Sequence, residues 1–263
     1  MTAPARPLAL VTGASSGIGF ELARQFVQGG FDVVINAEDD GVVDAANQLS
    51  AAHEADVQPV QADLSTTQGV EQLYAAVRET GLPLDAAALN AGVGLGRPFV
   101  EEDLAGVLEL VDLNVRSTTH LAHLVLRDMV TRGRGRLLLT SSIAATAPGS
   151  HQAVYNASKA YVQSFATALQ DELRGSPVTV TALLPGPTAT RFFARAGLLD
   201  TVVGRAKKDD PADVARQGYE ALMSGDRRAV AASLMTRAMY VSGKVLPDDL
   251  KALQRRLRAT PRR

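Results

Sequence analysis

The chain contains no cysteine. That excludes disulfides, thiolate nucleophiles and cysteine-ligated metal, and it agrees with a reducing compartment, here taken as the cytoplasm. No apolar stretch reaches the ~20 residues needed to span a bilayer as a helix. The opening Met1-Thr2-Ala3-Pro4-Ala5-Arg6 has no signal-peptide apolar core. Neither sign of charge dominates: the formal net charge is -1, which gives no electrostatic reason to expect a nucleic-acid partner. Internal repeats and low-complexity linkers are also missing, so residues 1–263 are expected to form one domain, a length that suits a single large α/β unit.

What is there is an alternation. Apolar runs at 7–12, 32–36, 57–61, 85–90, 135–141, 178–184 and 228–233 read as strands. Helical patterns separate them at 17–29, 41–54, 67–80, 102–132, 152–174 and 211–224. Several strand runs, such as Leu137-Leu138-Leu139, are continuously apolar, as expected of strands covered on both faces of a parallel sheet. The expected fold is therefore α/β, a Rossmann-like doubly wound parallel sheet of about seven strands with helices on both faces.

Two local patterns carry chemistry. The first strand runs into Thr12-Gly13-Ala14-Ser15-Ser16-Gly17-Ile18-Gly19 and then a helix. A strand, a glycine-rich turn and a helix N-terminus together can seat a diphosphate. The spacing Gly-x-x-x-Gly-x-Gly differs from the usual dinucleotide fingerprint, and the Gly-Lys-Ser/Thr ending of an ATPase loop is missing. The second pattern is Tyr155-Asn156-Ala157-Ser158-Lys159. Four residues apart on a helix, the phenol and the ammonium share a face. A nearby positive charge favours the phenolate and brings a tyrosine toward use as an acid or base near neutral pH.

Together these motifs resemble the short-chain dehydrogenase/reductase family. Further segments fit in order. Leu89-Asn90-Ala91-Gly92 is similar to the family's Asn-Asn-Ala-Gly, with Leu89 in place of the first Asn. Asn114 matches a helix Asn of the catalytic set, and Ser142 lies thirteen residues before Tyr155, as the family's catalytic Ser does. Pro185-Gly186-Pro187-Thr188-Ala189-Thr190 resembles a nicotinamide-binding stretch, and Asp63 an acid near the adenine. The resemblance implies a catalytic set of Asn114, Ser142, Tyr155 and Lys159, with no metal. It implies cofactor contacts from Gly13, Ser15, Ser16, Gly17, Ile18, Gly19, Ala37, Glu38, Asp63, Leu64, Asn90, Ala91, Gly92, Pro185, Gly186, Thr188 and Thr190, as well as Tyr155 and Lys159. The implied activity is hydride transfer between a nicotinamide cofactor and a secondary alcohol or ketone. Asn114 would hold a water that links Lys159 to solvent.

The second strand ends in Ala37-Glu38-Asp39-Asp40. These carboxylates would repel the extra phosphate of NADP, so NAD is favoured and NADP kept as the alternative. Residues 187–210 should form a substrate lid; its Phe192, Phe193, Leu198 and Leu199 either face an apolar substrate or pack on the sheet. His120 and His123 read as helix-surface or interface residues rather than metal ligands. Residues 236–263 form an expected basic helical extension, with Leu246, Leu250, Leu253 and Leu257 at helical spacing, docked on the body or another subunit rather than on lipid. By resemblance the chain pairs through 102–132 and 152–174 into a homodimer or homotetramer. Two other classes stay open: a dinucleotide-sensing or scaffold protein without turnover, and a sugar-nucleotide epimerase or lyase. The intact catalytic set speaks against the first and the glycine spacing against the second.

Overall fold

A computed structural model describes residues 6–231 together with Thr236 and Tyr240. Among them, seven strands form one parallel sheet: β1 (Leu8–Thr12), β2 (Asp32–Ala37), β3 (Val57–Gln61), β4 (Leu84–Leu89), β5 (Gly135–Thr140), β6 (Val178–Pro185) and β7 (Arg228–Ala231). Their order is 3-2-1-4-5-6-7. The chain winds outward from β1 to β3, then crosses back to lay β4 against the other side of β1. Leu10 thus faces Val34 across one ladder and Ala87 across the other. The reversal opens a crevice at the carboxyl ends of β1 and β4. Pro59, which lacks an N–H, is tolerated because β3 is an edge strand.

Alternate residues of each strand enter different cores. Leu8, Leu10, Leu137, Leu139, Ala182 and Leu184 join one cluster. Ala9, Val11, Leu138 and Leu183 join the other. Helices α3 (Thr67–Glu79), α5 (Thr118–Arg132) and α6 (Ala153–Glu172) cover the first face through Leu73, Val125, Met129 and Val162. The second face is covered by α1 (Gly17–Gln28), α2 (Gly41–Ala52) and α9 (Pro211–Ser224), through Leu22, Phe26, Leu49 and Leu222. Two buried faces explain why these strands read as continuous apolar runs.

The long helix expected over 102–132 is interrupted. It begins as α4 (Leu104–Val111), capped by Asp103, whose carboxylate accepts from the Gly106 N–H at 3.2 Å. It then passes through a π-helical turn, Asp112–Ser117, before continuing as α5. The segment 187–210 carries two short helices, α7 (Phe192–Arg195) and α8 (Val202–Arg205). Its ends are tied by a bridge between Thr188 and Asp209, with Asp209 N donating to Pro187 O at 2.8 Å. Apart from Thr236 and Tyr240, the expected 236–263 helix lies outside the described residues, as do the last two positions of the expected seventh strand.

Candidate active site

Polar side chains stitch the strand ends into one rim. The Thr12 hydroxyl accepts from the N–H groups of Asn90 (2.9 Å) and Ala91 (3.0 Å). Asn90 Nδ2 donates back to Thr12 O at 3.2 Å, and Thr140 donates to Asn90 Oδ1 at 3.2 Å. This chain joins β1, β4 and β5. On the other side, buried Asn36 donates to Val60 O (3.1 Å) and Ala62 O (3.0 Å), fixing the end of β2 against β3. Each bond contributes about 1 kcal/mol net, and breaking one inside the rim strands a buried partner.

The glycine turn emerges from this rim. Gly13 and Gly17 hold φ of +66° and +61°, which L side chains rarely adopt. A Cβ on Gly19 would sit 2.0 Å from the Gly13 carbonyl oxygen, so α1 begins in direct contact with the turn. Ser15, Ser16, Gly17 and Ile18 line the crevice beside it. The crevice then extends past buried Ala37 to Glu38 and Asp39, and across to Asp63 and Leu64. The Asp63 carboxylate accepts from the Ser65 N–H at 2.8 Å and its hydroxyl at 2.9 Å, which orients it at the β3 exit.

The other end of the crevice is built on α6. Tyr155 and Lys159 both line the crevice, one helical turn apart. Lys159 is 5% exposed, and its ammonium donates to Thr140 O at 3.0 Å. Burial lowers its pKa from 10.5 to about 8. Of the three ammonium donors, the bond to Thr140 leaves two for a ligand or neighbouring hydroxyl. The Ser141 hydroxyl donates to the Lys159 carbonyl at 2.8 Å, clamping α6 to the end of β5. Ser142 also lines the crevice. Its oxygen caps the turn Ile143–Thr146, accepting from Ala144 N at 3.0 Å, and it reaches Pro185 O at 3.4 Å. Capping and pocket lining are compatible at this one residue.

Asn114, the remaining member of the expected catalytic set, lies beside Gly92 of the crevice wall. It is 1% exposed and is absent from the crevice wall among the described residues. Its Oδ1 accepts from Val93 N at 3.0 Å, and its Nδ2 donates to Val93 O at 2.9 Å and Ser158 Oγ at 3.0 Å. The Ser158 hydroxyl donates in turn to Tyr155 O at 2.7 Å. The side chain is thus committed to protein partners and joins the loop after β4 to the helix of Tyr155. Gly92 shows how tight this junction is: a Cβ there would lie 3.0 Å from both Lys159 Nζ and Asn114 Oδ1.

Above the crevice, the apolar residues of 187–210 divide their tasks. The Phe192 ring lies 5.1 Å from that of Tyr155. Phe193 and Leu198 are buried with Ala196 in a small core of the segment itself, whereas Leu199 is 54% exposed. Pro185, Gly186, Thr188 and Thr190 lie along the crevice floor. Gly186 is required by its neighbour, since a Cβ would meet Thr236 Oγ1 at 2.2 Å. The fold therefore brings every expected site residue except Asn114 to one crevice.

Val93, Ser158, Arg191 and Arg195 carry no sequence signal of their own. Val93 and Ser158 become partners only once the loop and helix meet. Arg191 donates to Ser16 Oγ at 3.2 Å, and Arg195 reaches both Glu38 and Asp39 at the far end of the crevice. His151 holds φ of +65°, just before α6, and lines a shallow annex beside Tyr155. His120 is half-buried and His123 exposed on α5.

Comparison with known proteins agrees with this geometry. The model of the short chain dehydrogenase family matches residues 7–198, and the chain belongs to that family. It is 36% identical over 186 residues to 1-deoxy-11-beta-hydroxypentalenate dehydrogenase of Streptomyces avermitilis, covering 69% of this chain and 68% of that protein. The fold is similar to a short-chain dehydrogenase from Sphingobium yanoikuyae in complex with NADPH, with TM-score 0.79, 28% identity, and coverage of 85% and 87%. It is also similar to the bulky-bulky ketone specific alcohol dehydrogenase from Comamonas testosteroni, with TM-score 0.75, 26% identity and 85% of each chain covered.

Proposed function

We propose that the protein is an NAD(P)-dependent oxidoreductase that interconverts a secondary alcohol and its ketone. The observation that carries this reading is the convergence of Ser142, Tyr155 and Lys159 at one end of a crevice whose other end is a glycine-lined helix N-terminus. The donor set fits a nicotinamide dinucleotide. Gly13, Gly17 and Gly19 let backbone N–H groups approach a diphosphate closely. Gly92 leaves open the space beside Lys159 that a side chain would fill. When bound, the nicotinamide supplies or accepts the hydride.

The protein's part is to hold the substrate oxygen and move one proton. Ser142 donates a hydrogen bond to that oxygen. Tyr155 gives it a proton during reduction and takes one away during oxidation. The charge of Lys159 stabilises the phenolate left when the proton departs. Asn114 positions the loop and helix around these groups through Val93 and Ser158.

Residues 187–210 act as the substrate lid. Phe192 beside Tyr155, with Val93, Ile143 and Val203 on the crevice wall, favours a ketone with apolar substituents. The named activities of the relatives, on a bulky ketone and on a hydroxypentalenate, support the same class. The cysteine-free composition fits a cytoplasmic location. A homodimer or homotetramer is supported by an apolar stripe on α4: Leu104, Leu108 and Val111 are 64%, 53% and 36% exposed, with Phe99 and Val100 beside them. A panel of apolar secondary alcohols and ketones, scored by the absorbance of reduced nicotinamide, tests the activity. Turnover of several members supports it, and none with either nucleotide contradicts it.

A further inference from the structure

The acids closing β2 are not alone in space. Arg195, 156 residues further along the chain, places Nη2 3.2 Å from Asp39 Oδ2, and its Nη1 lies 3.3 Å from Glu38 Oε1. Asp39 Oδ2 also accepts from Ser15 at 3.1 Å, so the cluster abuts the glycine turn. All four residues line the crevice. These ion pairs are half-exposed, and such pairs add little to stability. Their position in the crevice wall beside the glycine turn is what matters. Arg195 is held there by the lid's own core, with Phe193 6%, Ala196 4% and Leu198 0% exposed. The bridge between Thr188 and Asp209 closes the base of the lid.

We infer that Arg195 is a specificity-determining residue, which screens Glu38 and Asp39 and so lets the enzyme accept NADP as well as NAD. This rests on the reading of the crevice as a nicotinamide dinucleotide site. Two carboxylates alone present a charge of −2 to the ribose 2′ position; with Arg195 the cluster carries −1. A 2′-phosphate bearing nearly two negative charges is repelled by the bare pair and tolerated by the screened one. NAD, with a neutral hydroxyl at that position, is far less sensitive. The lid supplies an internal control. Arg191, one turn earlier, donates to Ser16 Oγ at 3.2 Å over the glycine turn, where both nucleotides carry the same diphosphate.

The test is calorimetric titration of the full chain with NAD+ and NADP+ at low and moderate salt, comparing Arg195→Gln, Arg191→Gln and Glu38→Gln. Arg195→Gln should weaken NADP+ about tenfold, or 1.4 kcal/mol, leave NAD+ within about threefold, and lose much of that difference at higher salt. Arg191→Gln should weaken both nucleotides by one factor. Glu38→Gln should tighten NADP+ selectively, and in that background Arg195→Gln should have a smaller effect on NADP+. If Arg195→Gln weakens both nucleotides equally, or leaves NADP+ binding unchanged, the inference is overturned while the dinucleotide reading stands. Binding of neither nucleotide by the wild-type protein overturns the dinucleotide reading, and this inference with it.

Discussion

Lys159 shows what it costs to bury an ammonium in this crevice. It is an ammonium with 5% of its surface exposed, held by one carbonyl at 3.0 Å. With its pKa at about 8, against 10.5 for the free side chain, the unfolded chain binds more proton than the folded one between those pH values. Stability therefore rises with pH across that window, and the full penalty for burying the charge is present below it. Lys159→Met removes the titrating group. Urea unfolding should show the variant's advantage greatest below pH 8 and shrinking by up to about 3 kcal/mol toward pH 10.5; a difference flat with pH contradicts the assignment. At the same scale, Asn114→Ala removes three hydrogen bonds to Val93 and Ser158. It should cost about 2–3 kcal/mol of stability and lower kcat more than nucleotide affinity. Tyr155 and Lys159 were legible in the sequence because one helical turn relates them. The acidic run at 38–40 was legible too, but its cation was not, because only the folded chain brings Arg195, more than 150 residues away, to Glu38 and Asp39.

The strands were readable because burial on both faces makes each one an apolar run that few other structures tolerate. The break in the helix over 102–132 was not. Nothing in Asp112-Leu113-Asn114-Val115-Arg116-Ser117 opposes an ordinary α-helix. The π turn goes with a tertiary demand, the clasp of Asn114 on Val93 and Ser158, and such insertions recur at functional sites. The apolar residues of 187–210 were legible in the sequence, but how they divide between packing and crevice was not. Phe193 and Leu198 are buried together in the segment's small core, while the Phe192 ring lies 5.1 Å from that of Tyr155. Phe192→Ala should therefore raise KM for bulky apolar ketones several-fold, with little change in melting temperature. Phe193→Ala should instead destabilise the lid and lower affinity for nucleotide as well as substrate. Steady-state kinetics paired with thermal denaturation separates the two, and identical behaviour of the variants would contradict this division.

At the scale of the whole molecule, the fold concentrates polar order at the carboxyl edge of the sheet and leaves an apolar stripe on α4. Leu104→Asp combined with Leu108→Asp places two charges on that stripe. Sedimentation should show the wild-type chain as a dimer or tetramer and the double variant shifted toward monomer; a monomeric wild-type protein at micromolar concentration contradicts the proposed assembly. In the proposed mechanism the rim of strand ends aims a phenol, held beside a buried ammonium, at a substrate oxygen. Replacing Tyr155 by Phe keeps the ring against Phe192 and deletes only the proton donor. Turnover and nucleotide affinity, both measured on that one variant, separate the loss of the proton donor from any loss of cofactor binding. Turnover should fall by about two to four orders of magnitude with nucleotide affinity retained. Full turnover in Tyr155→Phe would contradict the proposed mechanism.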